Sequence, residues 1–309
     1  MHLAALPKRV KICEVGPRDG LQNEKTAVGV ADKIRYINLL VEAGFEDLEV
    51  TSFVNPKVVP QLADAEDVFA GFDRVAGRRY IVLTPNDRGL DRALAAGATA
   101  IAVFTAATNS FAQRNIGMTI DQSIDTFARV VQRAKAEGVW VRASVSTSFG
   151  CPFEGAVPIE SVVHVANRLL AIGVDELSIA DTIGIGTPNQ VFDIVAAVEK
   201  IVPLDRFGLH FHDTRGTAAA NIMAGLQMGV HIFDSSAGGL GGCPFAPGAT
   251  GNVATEDVLY LLHGMGIETG VDLTKVRAAS RFINEKLAGR VNSRAFHALE
   301  AVDARAARA

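Results

Sequence analysis

Two histidines one residue apart, His210 and His212, end the apolar run Phe207-Gly-Leu-His-Phe-His-Asp213. Successive side chains of a β-strand point to opposite faces, so both imidazoles would lie on the same face. Paired imidazoles at the mouth of a buried strand form half of a divalent-metal site. A hard divalent cation also needs anionic oxygen, which a carboxylate elsewhere in the chain would supply. The pattern therefore predicts a metal-dependent enzyme.

The segment Glu14-Val-Gly-Pro-Arg18-Asp19-Gly20 offers that carboxylate in Asp19. The alternative is that Pro-Arg-Asp-Gly is simply a turn, because Asp and Gly are common turn residues. Arg18 would place a permanently charged guanidinium beside the metal, suited to binding a carbonyl or enolate oxygen. The alternative for Arg18 is an ordinary ion pair with Glu14 or Glu49, carboxylates that could themselves only hold a neighbouring loop.

A glycine-rich stretch from Ala237 to Asn252 carries a single cysteine, Cys243, between Gly-Gly and Pro. Inert buried cysteines usually lie among bulky apolar side chains, so this one is interpreted as a reactive or acid/base thiol. The glycines favour a mobile loop that approaches its surroundings closely. Asn252 could offer an amide oxygen to the metal, or it could cap the helix that follows.

Composition excludes several classes of function. The 309 residues are 49% hydrophobic and 21% charged with a net charge of −4, and the Lys and Arg residues are scattered. No nucleic-acid partner is expected from such a surface. No apolar run approaches the roughly 20 residues that cross a bilayer, and no signal peptide is recognised before the first strand, so we expect no membrane association and a cytoplasmic location. Cys13, Cys151 and Cys243 show neither a disulfide framework nor CxxC zinc spacing.

Short apolar, β-rich runs alternate eight times with segments of helical period. The runs are nearly continuously apolar, as expected for strands covered on both faces. They begin near Val10, Phe45, Arg79, Ala100, Trp140, Asp175, Phe207 and Val230. The amphipathic stretches between them cover 31–43, 87–96, 120–137, 161–171, 190–202 and 218–228, and four end close to Gly44, Gly97, Gly138 and Gly173.

Eight β-then-α units predict an α/β fold, a (β/α)8 TIM barrel over residues 1–265. Residues 266–309 are predicted to be a C-terminal helical extension packed on the barrel. An open doubly wound sheet is the alternative, which is disfavoured because no GxGxxG follows the first strand. Chemistry in a barrel belongs at the carboxyl ends of the strands. Polar residues follow the first, second, sixth and seventh strands there, with Asp181 after the sixth.

These residues resemble the 3-hydroxy-3-methylglutaryl-CoA lyase family of HxH metal-dependent barrels. The resemblance runs from about Val10 to Val271. Its most specific pieces are Glu14 to Glu24, Thr51-Ser-Phe-Val-Asn-Pro-Lys57, Leu83-Thr-Pro-Asn86, Gly150-Cys-Pro-Phe-Glu-Gly155, Asp181-Thr-Ile-Gly184, His212-Asp-Thr214, Gly239 to Ala246 and Gly251-Asn252. Related condensing synthases share the HxH strand but not the glycine-cysteine loop.

The resemblance implies a role for nine residues. The positions that match the family's metal ligands, for Mg or Mn, are Asp19, His210, His212 and Asn252. It further implies that Arg18 stabilises enolate charge, that Cys243 is a general acid or base, that Glu49 and Asp181 support the ligands or handle protons, and that Glu256 supports the loop.

The implied reaction is a retro-Claisen cleavage of an acyl-CoA substrate to acetyl-CoA and acetoacetate, without a redox cofactor. Three positions depart from the family: Ser144 replaces a tyrosine, Arg215-Gly-Thr217 replaces Tyr-Gly-Gln, and Ser236-Ala-Gly-Gly239 replaces Ser-Val-Ala-Gly. These changes could enlarge and recharge the acyl pocket, which leaves a larger or differently charged 3-hydroxyacyl-CoA as an alternative.

Other functions are less favoured. A Claisen-condensing acyltransferase would lack the glycine-cysteine loop, and a catalytically silent barrel would have lost a ligand. A carboxyltransferase would need a lysine at a strand end, and none of the eight has one. Barrels of this kind commonly pair, so a homo-oligomer is left open.

Overall fold

Eight parallel strands close into a barrel in the order in which they occur along the chain. The computed structural model describes residues 6–242 and 251–308. The strands are β1 (Lys11–Glu14), β2 (Asp47–Ser52), β3 (Arg79–Leu83), β4 (Ala100–Ala106), β5 (Trp140–Ser146), β6 (Glu176–Asp181), β7 (Phe207–Phe211) and β8 (Ile232–Ser235). All eight predicted strands and the (β/α)8 fold are confirmed, and the open doubly wound alternative is wrong.

Helices surround the barrel and bury its outer face. They are α1 (Val30–Ala43), α2 (Ala65–Gly71), α3 (Asp87–Ala95), α4 (Asn109–Ile116), α5 (Ile120–Ala136), α6 (Ile159–Ala171), α7 (Pro188–Val198), α8 (Ala218–Gln227), α9 (Thr255–Gly264), α10 (Leu273–Lys286) and α11 (Arg294–Ala306). The outward-facing Leu48, Val82 and Ile101 belong to one continuous core with Ile37 and Leu40 of α1. The nearly continuous apolar character of the strands is explained by this covering.

The interior of the barrel combines a small apolar cluster with a chain of buried ion pairs. Lys11 contacts Asp47 at 2.8 Å and Glu176 at 2.6 Å, and Glu176 contacts Arg142 at 2.9 Å. The apolar cluster contains Cys13, Val15, Ile81, Leu83, Ala100 and Ala102. The charged residues Lys11, Asp47, Glu176 and Arg142 each lie beside an opposite charge, which offsets the cost of removing them from water.

The C-terminal helices pack on the barrel. Val276, Ala279 and Ile283 of α10 belong to the same core as the barrel helices. Asp257 of α9 accepts hydrogen bonds from Ser293 Oγ at 2.8 Å and from the Ala295 amide at 2.7 Å, at the start of α11. A division at residue 265 stays a prediction. No helix among the described residues is long and apolar enough to span a membrane.

Candidate active site and metal centre

Three of the predicted metal ligands meet at the carboxyl-terminal rim of the barrel. Asp19 lies in the short helical turn Gly16–Gly20 after β1, His210 lies in β7, and His212 follows β7 directly. One ligand atom from each of the three lies within 4.8 Å of the other two. The two imidazole centroids are 5.2 Å apart, because alternate residues of a strand face the same way. The turn at Pro-Arg-Asp-Gly exists, but it presents the Asp19 carboxylate to the histidines.

Asn252 lies against this cluster through its amide. Its Nδ2 donates to Asp19 Oδ2 at 2.9 Å and to the Leu240 carbonyl at 3.0 Å. Its Oδ1 is buried and has no hydrogen-bond partner within the described residues. Helix α9 starts at Thr255 with Ala254 before it, so the interpretation of Asn252 as a helix cap is wrong. A buried oxygen without a donor indicates that Asn252 faces something else, such as a cation.

Arg18 connects two carboxylates in the lining of the pocket at this rim. One guanidinium nitrogen contacts Asp19 Oδ1 at 2.8 Å and the other contacts Glu49 Oε2 at 2.7 Å. Burial by itself would lower the pKa of Arg18, but Glu49 and Asp19 outweigh it and raise the pKa. The ion pair between Arg18 and Glu49, one of the two that the sequence left open, is therefore present. Glu14 instead accepts hydrogen bonds from the Ala237 amide and Thr255 Oγ1. The pair fixes the guanidinium in the pocket wall, so the positive charge is already in place before a substrate binds.

Burial and neighbouring charges shift the pKa values of all three residues of the cluster. Burial and the neighbouring His210 hold the pKa of His212 far below its usual range, so this imidazole is neutral. Burial would also lower the pKa of His210, but Asp234 and Asp19 outweigh it and raise that pKa. Burial would raise the pKa of Asp19, but Arg18 and the two histidines lower it, so the carboxylate is ionised. Two imidazoles, a carboxylate and an amide oxygen fit a divalent cation.

Asp234 contacts a predicted metal ligand, and the sequence analysis did not single it out. It lies in β8 directly opposite His210, and its Oδ2 is 3.1 Å from His210 Nδ1. Burial would raise its pKa, but Arg142 and His210 lower it to about 2. An aspartate in an inward-facing position of a strand beside the HxH strand was the available signal. A carboxylate on the second nitrogen of a metal-binding histidine is a common support for such a ligand.

Asp181 is at the rim but does not face the pocket. Its carboxylate accepts hydrogen bonds from the backbone amides of Ile185 at 3.1 Å and Gly186 at 2.8 Å. Burial raises its pKa, although these amides oppose the rise. The neighbouring Ala180 and Thr182 line the pocket in its place. In this structure Asp181 holds the loop between β6 and α7.

Two buried carboxylates, Glu256 and Glu14, hold the start of the glycine-rich loop. Glu256 accepts from the Gly238 amide at 2.9 Å. Glu14 Oε1 accepts from the amides of Ala237 at 2.9 Å and Gly16 at 2.8 Å, so it ties the loop to the turn that carries Asp19. Thr255 Oγ1 donates to the other oxygen of Glu14 at 2.7 Å. Burial raises the pKa of Glu256 to about 7 and that of Glu14 to about 8, against these hydrogen bonds.

These raised pKa values predict that the free energy of unfolding falls as pH rises from the unfolded pKa of each carboxyl to its folded pKa. A carboxyl with a higher pKa in the folded state stabilises the fold below its unfolded pKa, and this contribution is lost as pH rises through the folded pKa. For Glu14 the window runs from 4.5 to about 8. The melting temperature of the metal-free protein should fall across this window, and less steeply for Glu14→Gln. Glutamine keeps an oxygen for both amides, so equal slopes for the two proteins would contradict the prediction.

Cys243 lies outside the described residues. The described chain reaches the pocket immediately before it, at Gly242, whose carbonyl accepts from Asn23 Nδ2 at 2.8 Å. Gly241, one residue earlier, lies close to Asn252 on the other side of the loop, and an added Cβ would lie 2.5 Å from the Asn252 amide nitrogen. Gly241 also has a φ of 120°, which other residues rarely adopt. Glycine is therefore required at this position by both space and backbone conformation.

The pocket above the cluster has a charged side and an apolar side. Its lining includes Arg18, Asp19, Glu49, Leu83, Ala102, Phe104, Phe111, Ser144, Ser146, His210, His212 and Asp234. Ser144 faces this space, as expected for the position where a tyrosine was anticipated. Arg215 does not line it, because its guanidinium donates to the carbonyls of Ile183 and Gly184 at 3.0 Å. The expectation that Arg215 recharges the acyl pocket is wrong for this reason.

Known proteins share both the sequence and the architecture of this chain. The family described as HMGL-like matches residues 9–283. The mitochondrial hydroxymethylglutaryl-CoA lyase of Mus musculus is 49% identical over 94% of this chain and 90% of that protein. Other curated relatives are named as cytoplasmic forms of the same enzyme.

Solved structures agree with these relatives. Hydroxymethylglutaryl-CoA lyase from Pseudomonas aeruginosa is 49% identical with a TM-score of 0.94, covering 96% of this chain and 99% of that one. An HMG-CoA lyase from Acinetobacter baumannii, solved in complex with coenzyme A and 3-methylmalate, is 38% identical with a TM-score of 0.90, covering 94% and 95%.

Proposed function

The chain belongs to the HMGL-like family, and from this premise we propose that it cleaves 3-hydroxy-3-methylglutaryl-CoA to acetyl-CoA and acetoacetate in a metal-dependent retro-Claisen reaction. The observation that carries the proposal is the joint position of Asp19, His210 and His212, with the Arg18 guanidinium bonded to Asp19 on the same rim. A cation site beside a fixed positive charge is what a reaction through an enolate requires.

We infer that Mg or Mn is the metal and that Asp19, His210, His212 and Asn252 would hold it. The donor set is rich in nitrogen and oxygen and has no thiolate among the described residues, which favours these ions over softer ones. The buried, unpartnered Asn252 Oδ1 is the observation that adds it to the set. When bound, the metal acidifies a coordinated hydroxyl and stabilises negative charge on oxygen.

The side chains would carry the remaining steps. A base removes the proton of the 3-hydroxyl, the carbonyl of acetoacetate forms, and the bond between C2 and C3 breaks with its electron pair passing to the thioester. Arg18 donates to the resulting enolate oxygen, and Glu49 keeps the guanidinium in position at 2.7 Å. Cys243 then donates a proton to the enolate carbon to yield acetyl-CoA. Glu256 and Asp181 support the two loops that bound the site.

The substrate is an acyl-CoA thioester, which is consistent with the coenzyme A in the Acinetobacter baumannii structure. We propose a cytoplasmic location. The names of several relatives place them in the cytoplasm, and those of others place them in mitochondria. We also propose a homo-oligomer, because barrels of this kind commonly pair. Gel filtration with light scattering measures the number of subunits directly.

Turnover by metal-stripped protein is the test of the proposed function. Without metal, we expect no acetyl-CoA release from 3-hydroxy-3-methylglutaryl-CoA, and addition of Mg²⁺ or Mn²⁺ should restore it. Addition of Ca²⁺ to the metal-stripped protein serves as a comparison. This larger ion prefers more oxygen ligands, so it should restore less acetyl-CoA release than Mg²⁺ or Mn²⁺. Absence of cleavage despite bound Mn²⁺ would reject this substrate and direct the search to larger 3-hydroxyacyl-CoAs.

Substitutions at the two departures should act differently on substrate choice. Ser144 lines the pocket next to Phe104, its partner on β4, so Ser144→Tyr should fill pocket space and lower kcat/KM for acyl-CoAs longer than the parent substrate. Arg215→Gln should leave the ratio between substrates unchanged, because the Arg215 guanidinium donates to the carbonyls of Ile183 and Gly184 and does not line the pocket that the described residues form. Measuring kcat/KM for the parent and a longer 3-hydroxyacyl-CoA separates the two. A changed preference in Arg215→Gln would contradict this assignment.

A further inference from the structure

Asp234 lies between a metal-binding histidine and a buried arginine inside the barrel. Its Oδ2 is 3.1 Å from His210 Nδ1, and its Oδ1 accepts from an Arg142 terminal nitrogen at 2.6 Å. Ser178 Oγ lies 3.4 Å from Oδ2. Asp234 and Arg142 are almost completely buried. Each oxygen of the carboxylate therefore has its own partner, and the carboxylate cannot rotate without losing both.

We propose that Asp234 is a positioning residue that sets the tautomer of His210, with Arg142 fixing which oxygen faces the ring. An ionised carboxylate only accepts hydrogen bonds, so the hydrogen of the neutral imidazole must be on Nδ1. Nε2 then carries a lone pair and no hydrogen, and this tautomer of the imidazole can bind a metal through Nε2. The inference depends on the proposed function only through His210 as a metal ligand.

Arg142 holds Asp234 from the opposite side of the barrel interior. Its guanidinium also contacts Glu176 at 2.9 Å, and Glu176 contacts Lys11 at 2.6 Å near the amino-terminal end of the barrel. Arg142 is thus held by a second carboxylate, which fixes in place the donor that orients Asp234. A guanidinium has donors only, so any side chain that replaces Asp234 must present an acceptor to Arg142.

Asp234→Asn tests whether Asp234 sets the tautomer of His210. The oxygen of the asparagine must face the donating nitrogen of Arg142, so its NH2 group faces His210 Nδ1. Nδ1 must then accept, and the imidazole hydrogen moves to Nε2, where it occupies the position of the metal. The variant has nearly the same shape as the native residue, so the defect concerns a hydrogen atom and not packing.

The experiment combines imidazole ¹⁵N NMR of the metal-free protein in alkaline buffer with Mn²⁺ titration. For the native protein we expect His210 to carry its hydrogen on Nδ1. For Asp234→Asn we expect the hydrogen on Nε2 and an affinity for Mn²⁺ about 10- to 100-fold weaker. A hydrogen on Nε2 in the native protein would overturn the proposal. The native spectrum needs no variant, so a misfolded Asp234→Asn would still leave a decisive measurement.

Asp47→Asn is the matched control, because Asp47 is an equally buried carboxylate that contacts Lys11 and Arg79 and not His210. It should lose stability as a broken interior ion pair does, but keep the native His210 tautomer and Mn²⁺ affinity. Equal weakening of Mn²⁺ binding in both variants would overturn the positioning role in favour of general destabilisation. Neither readout requires lyase activity, so failure of the proposed substrate would not be confused with failure of this inference.

Discussion

An Asp19→Asn variant is expected to lose metal binding by about a hundredfold or more and kcat/KM by on the order of a thousandfold, since it removes the anionic ligand of the set. The loss is larger than one charge suggests. The Arg18 guanidinium would take the oxygen of the new amide, so its NH2 group would face Asn252 Nδ2, which is also a donor. The Asn252 amide would have to turn over, and its oxygen would then accept from that NH2 group and would no longer be free to face a cation.

Isothermal titration with Mn²⁺ and steady-state kinetics at saturating metal measure this effect. Asp213→Asn is the matched control, because Asp213 is on the same rim but its carboxylate accepts from the Ala218 amide, at the first residue of α8, at 2.9 Å. Asparagine keeps an oxygen that can accept from this amide, so the variant should bind Mn²⁺ and turn over substrate as the native protein does. Normal Mn²⁺ affinity in Asp19→Asn would remove Asp19 from the ligand set.

Arg18→Gln is expected to lower kcat by about a hundred- to a thousandfold, as the removal of a preorganised donor to a developing oxyanion does. Mn²⁺ affinity should fall less than in Asp19→Asn, because all four metal ligands remain. Arg18→Lys should restore little of kcat. A single ammonium group cannot span Asp19 and Glu49, which the guanidinium contacts with two different nitrogens.

Comparing kcat with KM distinguishes a role in the transition state from a role in substrate binding. If the enolate is the partner of Arg18, kcat and kcat/KM fall together, whereas loss of simple substrate binding would raise KM alone. Arg215→Gln provides the control for the removal of a rim guanidinium outside the pocket. An Arg18→Lys variant with native kcat would show that a point charge suffices and would contradict the oriented-donor role.

Much of the fold was predictable from the chain because its signals are local. Parallel strands covered on both faces give continuous apolar runs, and helices between them give a 3.6-residue period, so eight units were recognised before any contact was known. Positive φ values at Gly44, Gly97, Gly138 and Gly173 explain why glycines ended the predicted helices. The two short helices α2 and α4 were not predicted, since each has too few turns to show a clear period.

The partners of the site residues were less predictable. Glu49 and Asp181 looked equivalent as carboxylates at strand ends, yet Glu49 contacts Arg18 in the pocket and Asp181 contacts backbone amides behind it. Arg215 looked like a pocket charge because it follows the HxH strand, but its side chain turns to the neighbouring loop. Side-chain direction at a loop depends on which backbone groups lack a partner nearby, and that depends on packing between distant segments.

The sequence by itself determined the barrel, the rim at which its chemistry lies, and the residue types His210, His212 and Asp19 that suit a divalent cation. These follow from periodicity and from the chemistry of single side chains. Only the tertiary structure decided that Asn252 joins the cluster, that Asp234 faces His210, and that an ion-paired Arg142 lies behind it. The physical reason is that the register between β7 and β8, which places Asp234 opposite His210, forms only when the strands pair, and the spacing within either strand does not specify it.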